Sequence, residues 1–173
     1  MNFQTNSTLL GLPIVHVATG RLVDGSYRRG IAKGWVAIGD IAVGVLFAAG
    51  GVSAGGISIG GLAIGVLPFG GLALGLAAIG GLAIGVLAVG GAAFGWSAAL
   101  GGLAVARDYA SGGAAAARHA NDVIAADYFA THEFFRVASW LMTYSIVLVF
   151  LPAIAALVPR LWRWRAQRRI TRK

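Results

Sequence analysis

The sequence predicts a mainly β chain in which a glycine-rich repeat forms a β-solenoid and is followed by a helical membrane anchor. Three observations lead to this prediction. A five-residue word recurs from Ile31 to Trp96. Residues 41–106 contain no Asp, Glu, Lys, Arg, His, Asn or Gln. A stretch of 23 residues without charge runs from Val137 to Pro159, and it is long enough to cross the hydrocarbon core of a bilayer.

Composition places the chain at a membrane. The hydrophobic fraction is 58 % and the mean hydropathy is +0.79, whereas soluble domains are roughly 45–50 % apolar. The net charge of +8 comes mainly from residues 160–173, which hold seven basic residues and no acid. We expect no nucleic-acid partner, because the basic tail directly follows the uncharged stretch and is assigned to lipid headgroups. The absence of cysteine excludes a disulfide framework and a thiolate metal site.

The first 30 residues predict an N-terminal strand or cap. Residues 12–17 are typical of a strand, and residues 23–25 of a turn that leads to the basic residues Arg28, Arg29 and Lys33. No cleaved signal peptide is expected, since the start is not basic and the apolar stretch at 9–17 is short and interrupted by Gly11 and Pro13. His16 is isolated and predicted to be structural.

The repeat has a regular letter pattern over residues 31–96. Thirteen words can be counted, of which one, Leu46 to Gly51, has six residues. The first and third letters are usually aliphatic, the second is nearly always Ala, and the fourth is Gly in every regular word. The fifth letter alternates between Gly and a larger residue late in the repeat, which gives a ten-residue super-period.

Two folds compete for this pattern. An every-fifth glycine does not follow one face of an α-helix, and the 19 glycines within residues 41–106 oppose a helix interior. Gly-x-x-x-Gly pairs such as Gly61/Gly65 nevertheless allow close packing of membrane helices. The alternative to the solenoid is therefore an all-α, glycine-packed bundle with several spans, which would form a pore or a pathway for a small solute.

The words resemble those of pentapeptide-repeat proteins, whose right-handed four-sided β-helix takes four words per coil. The resemblance implies that letters one and three, such as Leu62 and Ile64, fill the interior and that letter two, such as Ala63, faces outward. Glycine at letter four is expected at the corner because it tolerates positive φ. The family usually has a polar second letter, which this chain lacks, so the DNA-imitating activity of some members is not expected.

A second resemblance is to uncharacterised bacterial membrane proteins with glycine-rich repeats. Its matching segments are residues 11–17, 32–34, 38–42, the glycine words and residues 118–122. This resemblance covers about 120 residues. It implies a fold and a membrane location and no biochemical activity.

Polar residues flank the repeat at both ends and are predicted to cap it, as terminal repeats must. His119, Asp122 and Asp108 could ligand a metal, but their spacing matches no zinc or iron signature. We expect no cofactor, no metal site and no catalytic residue. The predicted cap residues are Lys33, Asp40, Arg107, Asp108, Arg118, His119, Asn121 and Asp122.

The C-terminal part is predicted to be helical. The repeat region extends over residues 31–120, and Asn121 or Asp122 is expected to begin a linking helix at 121–136. One membrane span at 137–159 and a basic tail at 160–173 follow, as one continuous helix or a helical hairpin. The predicted membrane-anchoring residues are Trp140, Tyr144, Trp162, Arg163, Trp164 and Arg165.

These features predict a membrane protein that is structural and not an enzyme. Its expected partners are the lipid bilayer and, through the apolar surface of the solenoid, other copies of itself. The basic tail predicts a cytoplasmic C-terminus. The side of the membrane on which the repeat lies stays open, because the residues that precede the repeat are basic too. An enzyme acting through His119 and Asp122 is the third and weakest hypothesis.

Overall fold

A computed structural model describes residues 2–5, 7–23, 26–141 and 143–144, and the fold is mainly β. The chain forms two compact units, Met1–Phe135 and Arg136–Lys173. The strands are β1 (Asn2–Gln4), β2 (Thr8–Leu9), β3 (Leu12–Pro13), β4 (Val15–Ala18), β5 (Arg21–Val23), β6 (Ser26–Arg28), β7 (Ile31–Ala106), β8 (Tyr109–Ala116) and β9 (His119–Ala120). Helix α1 is Val123–Thr131, and residues 133–141 and 143–144 are also helical.

The N-terminal strands lead into the repeat. β1 pairs antiparallel with β4, and β4 pairs parallel with the start of β7, with Val15 opposite Val36. Two antiparallel pairs, β2 with β3 and β5 with β6, extend from this path. The strand predicted at residues 12–17 is present as two strands, because a bend at Ile14 separates β3 from β4.

The repeat is one continuous strand, β7, of 76 residues. Its last part pairs parallel with β8, Ala98 opposite Tyr109, and β8 pairs parallel with β9, Tyr109 opposite His119. The same spacing holds inside β7, since a Cβ atom on Gly60 would meet the carbonyl oxygen of Gly50. Segments ten or eleven residues apart are therefore neighbours. The prediction of twenty-residue coils is wrong, and so is the helical alternative for this region.

The second letter of each regular five-residue word faces inward. Ala63, Ala73 and Ala83 are completely buried, and the same is true of Ser53 and Ser58, which replace Ala in two words. Most first-letter residues are half-buried. The third-letter residues vary, since Ile64 is exposed whereas Ile79 and Val89 are buried. The predicted orientation, with aliphatic residues inside and alanine outside, is therefore wrong. The physical reason is width, because the space between the two sides of a ten-residue turn admits compact side chains, of which Pro68 is the largest second letter that is completely buried.

Glycine is needed at the fourth letter because a side chain there would overlap the neighbouring backbone, and not because it can adopt the left-handed conformation. A Cβ atom on Gly70 or Gly80 would overlap the carbonyl oxygen of the glycine ten residues earlier. Among the glycines that the structure describes, only Gly11 and Gly112 have positive φ. The expected positive φ at the corner is therefore wrong, while a need for close backbone approach explains every fourth-letter glycine.

Helix α1 begins where the sequence predicts, and it ends earlier. Asp122 is the N-cap, and its carboxylate accepts a hydrogen bond from the Ala125 N–H. The predicted helix to residue 136 is interrupted at His132, which is extended. The Thr131 hydroxyl donates to the carbonyl oxygens of Asp127 and Tyr128 at 2.8 and 3.2 Å, and such back-bonding weakens the last turn.

Most of the predicted span at 137–159, and all of the tail at 160–173, lie outside the described residues. Within 2–5, 7–23, 26–141 and 143–144, no helix is long and apolar enough to cross a membrane.

Two neighbouring alanines test which letter faces inward. Ala78 is a completely buried second letter, whereas Ala77 is a half-buried first letter, the place that Leu occupies in six of the other twelve words. We expect Ala78→Leu to lower the free energy of unfolding by about 1–3 kcal/mol or to prevent folding, because the interior is overpacked. Ala77→Leu, the matched control, should change it little. Denaturant unfolding, monitored by circular dichroism, measures the free energy of unfolding of both variants. A larger loss of stability in Ala77→Leu than in Ala78→Leu would support the orientation with aliphatic residues inside.

Candidate functional site

The outside of the repeat has two kinds of corner. Fifth letters that are ten or eleven residues apart stack on each other, which explains the ten-residue super-period of the sequence. One column consists of exposed glycines, each close to the carbonyl oxygen of the previous one: Gly51, Gly61, Gly71, Gly81, Gly91 and Gly102. The other column carries large apolar side chains that are 40–68 % exposed: Val66, Leu76, Val86 and Trp96. We call these the glycine column and the bulky column.

The sides between the two columns are apolar too. In the turn formed by residues 57–66, Ile59 on one side and Ile64 on the other are 46 % and 43 % exposed. The row that contains Ile59 continues through Ile79 and Val89, which are buried. Within residues 41–95, all of which the structure describes, Ser53 and Ser58 are the only side chains able to form hydrogen bonds, and both face inward. The outer surface of this part is therefore hydrocarbon and backbone alone.

Asn121 lies against the last long strand of the repeat. The Gly112 N–H donates to its Oδ1 at 2.8 Å, and its Nδ2 donates to the Gly112 carbonyl oxygen at 2.9 Å. The side-chain amide thus makes the pair of hydrogen bonds that a further strand would have made. Asn121 itself has φ of 53°, a conformation that Asn tolerates better than most residues. This geometry suits the predicted cap.

The charged residues at this end form two pairs. Arg118 approaches Asp108 at 3.5 Å, and His119 Nδ1 lies 2.8 Å from the Asp122 carboxylate. The hydrogen bond from the Ala125 N–H, and then the contact with His119, hold the pKa of the Asp122 carboxyl below its ordinary value of 3.8. Asp122 therefore joins the end of the repeat to the start of α1.

Aromatic rings hold α1 against the same end. Tyr109 of β8 is stacked on Tyr128 of α1 with ring centroids 4.1 Å apart, and His119 stacks near Tyr109 at 5.7 Å. Tyr128 also contacts His132 at 4.5 Å. Such contacts add stabilisation beyond the area that they bury. Tyr109 and Tyr128 were not predicted as cap residues, and only their position beside the charged cluster could have indicated a role.

Trp96 and Arg107 mark the point where the uncharged region ends. Trp96 is 68 % exposed, and the Arg107 guanidinium carbon lies 5.7 Å from the centre of its ring. The Arg107 N–H donates to the Trp96 carbonyl oxygen, and the Arg118 N–H donates to that of Arg107. The bulky column therefore passes directly from large apolar residues to arginine.

A polar group also occupies the start of the repeat. The Asp40 carboxylate accepts a hydrogen bond from the Gly30 N–H at 3.0 Å, and His16 Nδ1 lies 2.9 Å from the Lys33 nitrogen, which donates. The indole N–H of Trp35 donates to the Leu9 carbonyl oxygen at 2.9 Å. His16 thus has the structural contact that the sequence predicts, while Trp35 was not predicted as part of this end.

In the described part of the chain, the remaining predicted residues are not grouped at one place. His119 contacts Asp122, whereas Asp108 pairs with Arg118, and in the described part of the chain no three His, Asp or Glu residues are grouped to hold a metal ion. Trp140 and Tyr144 are exposed, and their rings are 4.5 Å apart. The other predicted anchor residues, Trp162, Arg163, Trp164 and Arg165, lie outside the described residues.

Two substitutions at Asn121 separate its hydrogen bonds from its backbone conformation. Asn121→Gly removes both bonds to Gly112 but tolerates positive φ, and we expect a loss of about 1–3 kcal/mol of stability from two bonds. Asn121→Ala should lose about 1 kcal/mol more because of its Cβ atom. Hydrogen exchange of the Gly112 amide, with equilibrium unfolding, measures both effects. Unchanged protection of that amide in either variant would contradict a cap role for Asn121.

Acid should weaken the junction between the repeat and α1. Because the folded-state pKa of Asp122 is lower than the unfolded value, the carboxylate stabilises the fold above pH 3.8, and this stabilisation is lost as the pH falls through the folded-state pKa. Asp122→Ala should lack this pH-dependent part and be less stable at neutral pH. Helix content and unfolding midpoints measured from pH 6 down to about pH 2 test this, with Asp127→Ala, an exposed position within α1, as the control. Equal pH profiles for the two variants would refute the role of Asp122.

Comparison with known proteins does not assign the chain to a family. No protein-family model, curated protein or solved structure matches the chain. The two resemblances drawn from the repeat words therefore stay predictions. The function has to be argued from the residues and contacts described above.

Proposed function

We propose that the chain is a membrane-anchored structural or assembly module, without catalytic activity, that presents the apolar outside of a β-solenoid. The single observation that carries this proposal is the outer surface of residues 41–95, which has exposed aliphatic side chains and no polar side chain. Monomeric soluble proteins rarely expose more than a few hundred Å² of contiguous apolar surface. Such a surface needs an apolar partner.

The solenoid part of the proposal rests on spacing. Parallel pairs occur at ten or eleven residues, as between Ala98 and Tyr109 or Tyr109 and His119. The stacked glycines have the same spacing, and each ten-residue turn contributes two small side chains to the interior. A β-solenoid with two words per coil accounts for all three observations. Its coils are half as long as those of the pentapeptide-repeat proteins that the words resemble.

The membrane location rests on the rest of the chain as well. The uncharged stretch at 137–159 and the basic, tryptophan-containing tail at 160–173 have the composition of a membrane span with an interfacial anchor. By the excess of positive charge, the tail would be cytoplasmic. Residues 41–106 have no side chain with acid–base chemistry, and the charged residues at the C-terminal end of the repeat are engaged in the contacts of the cap.

Self-association is the second candidate, and the glycine column favours it. A straight row of exposed glycines offers a flat strip along which another copy could approach closely, as small residues allow between membrane helices. In that case the module would assemble through its glycine column and leave its other faces to lipid. The two roles are compatible.

Fractionation of cells that express the full chain tests the proposal. We expect the protein in the membrane fraction, resistant first to high salt and then to alkaline carbonate, and released by detergent. The salt step removes attachment that depends only on the basic tail, because screening weakens it. Light scattering of the detergent-solubilised protein then reports its oligomeric state. A chain that is monomeric in buffer without detergent would overturn the proposal.

A further inference from the structure

We infer that the repeat itself crosses the hydrocarbon core of a bilayer, with its long axis along the membrane normal and lipid acyl chains as the partner of its outer surface. This inference rests on the proposed membrane role and goes beyond it, because that role needs only an anchor. We call residues 41–106 the uncharged band. It is the length, the ends and the surface of this band that identify the partner.

The length of the uncharged band matches a bilayer. Its 66 residues, at ten or eleven residues per turn, make about six turns, and with about 4.8 Å between neighbouring strands they extend about 30 Å. The hydrocarbon core of a typical bilayer is also about 30 Å thick. A surface made for another protein has no reason to stop at this length.

The two ends of the band carry the residues that membrane interfaces favour. Lys33, Trp35 and Asp40 lie just before it, and Trp96, Arg107 and Arg118 lie at or just after its other end. Trp96 is exposed beside the guanidinium of Arg107. Tryptophan and arginine are enriched where the hydrocarbon meets the headgroups. Charge therefore returns at both ends, at the separation that a bilayer requires.

The band has exposed apolar side chains on both sides of its turns, although Ile79 and Val89 in one of the rows are buried. Exposed apolar residues lie on both sides of a turn, as Ile59 and Ile64 show, and at the bulky corner, as Val66 shows. An axis parallel to the membrane plane would bring only one of these sides into lipid and leave the others in water. An axis along the membrane normal covers them all.

Backbone hydrogen bonding meets the main requirement of lipid, where each unpaired N–H or C=O group costs several kcal/mol. Residues 31–106 are strand throughout, so their N–H and C=O groups bond to the turns before and after, along the axis. At the C-terminal end, Asn121 pairs with Gly112, which lies beyond the band.

Spin labels on the full chain test this orientation, because the absence of native cysteine allows each label to be placed singly. The variants Leu46→Cys, Leu76→Cys and Arg118→Cys sample the axis, and Gly71→Cys samples the opposite corner near the height of Leu76. After reconstitution into phosphatidylcholine vesicles, accessibility to oxygen is compared with accessibility to a water-soluble nickel chelate. We expect the oxygen preference to peak at Leu76 and to be lost at Arg118, with Gly71 equal to Leu76.

Three outcomes of the label experiment would overturn the inference. An equal depth at Leu46, Leu76 and Arg118, with a large difference between Gly71 and Leu76, would mean that the repeat lies flat on the surface. Nickel access at Leu76 would mean that it stays in water. Labels at Leu76 shielded from both reagents would mean that a second copy covers the bulky column.

Sidedness distinguishes this inference from the proposed function. In spheroplasts that express Lys33→Cys or Arg118→Cys, a membrane-impermeant maleimide should modify one of the two variants before permeabilisation and the other only afterwards. If both react, or both are protected, while the chain resists carbonate extraction, the repeat does not cross and the membrane role stands. Release by carbonate would overturn both.

Discussion

The narrow interior of the repeat is the constraint on which the rest of the structure depends. Ala63, Ala73 and Ala83 are completely buried between the two sides of a turn, and glycine at the fourth letter lets successive turns approach where a Cβ atom would overlap a carbonyl oxygen. Packing at this density limits the inward-facing letter to compact side chains, Ala in most words and Pro68 in one. The leucines and isoleucines that would form the core of an ordinary β protein are therefore placed on its outside.

The sequence predicts that the chain is mainly β and where the repeat begins and ends, but it does not predict which letter faces inward. In an ordinary half-buried strand the apolar letters face the core and the polar letters face water. Here both faces are apolar, so the alternation alone does not distinguish them, and the resemblance to pentapeptide-repeat words implies the opposite orientation, with Ile64 in the core and Ala63 at the surface. In the structure Ala63 is buried and Ile64 is exposed. The length of four words per coil came from the resemblance to another family, whereas the alternation of Gly61, Val66, Gly71 and Leu76 already contained the two-word coil.

The ends were more predictable than the middle, because their residues differ in kind from their surroundings. Asn121 and Asp122 are the polar, turn-forming types that cap strands and helices, and both have the expected backbone contacts. The stacking of Tyr109 on Tyr128 could not be predicted in the same way. It depends on the position of α1 over the last turns of the repeat, which no local pattern encodes.

An outward-facing aliphatic surface also changes what stabilises the fold. Burial of apolar area contributes about 25 cal/mol per Å², yet alanine and serine side chains supply little of it inside the repeat. In water the backbone hydrogen bonds between turns add only about 1 kcal/mol each net of lost hydration, and the exposed leucines and isoleucines add nothing. In hydrocarbon the net stabilisation of the folded repeat would be larger. Water does not compete for the same hydrogen bonds there, and lipid acyl chains cover the exposed aliphatic side chains. Folding of the repeat and its insertion into a bilayer would then be a single coupled process, in which the environment supplies the stabilisation that the interior is too narrow to provide.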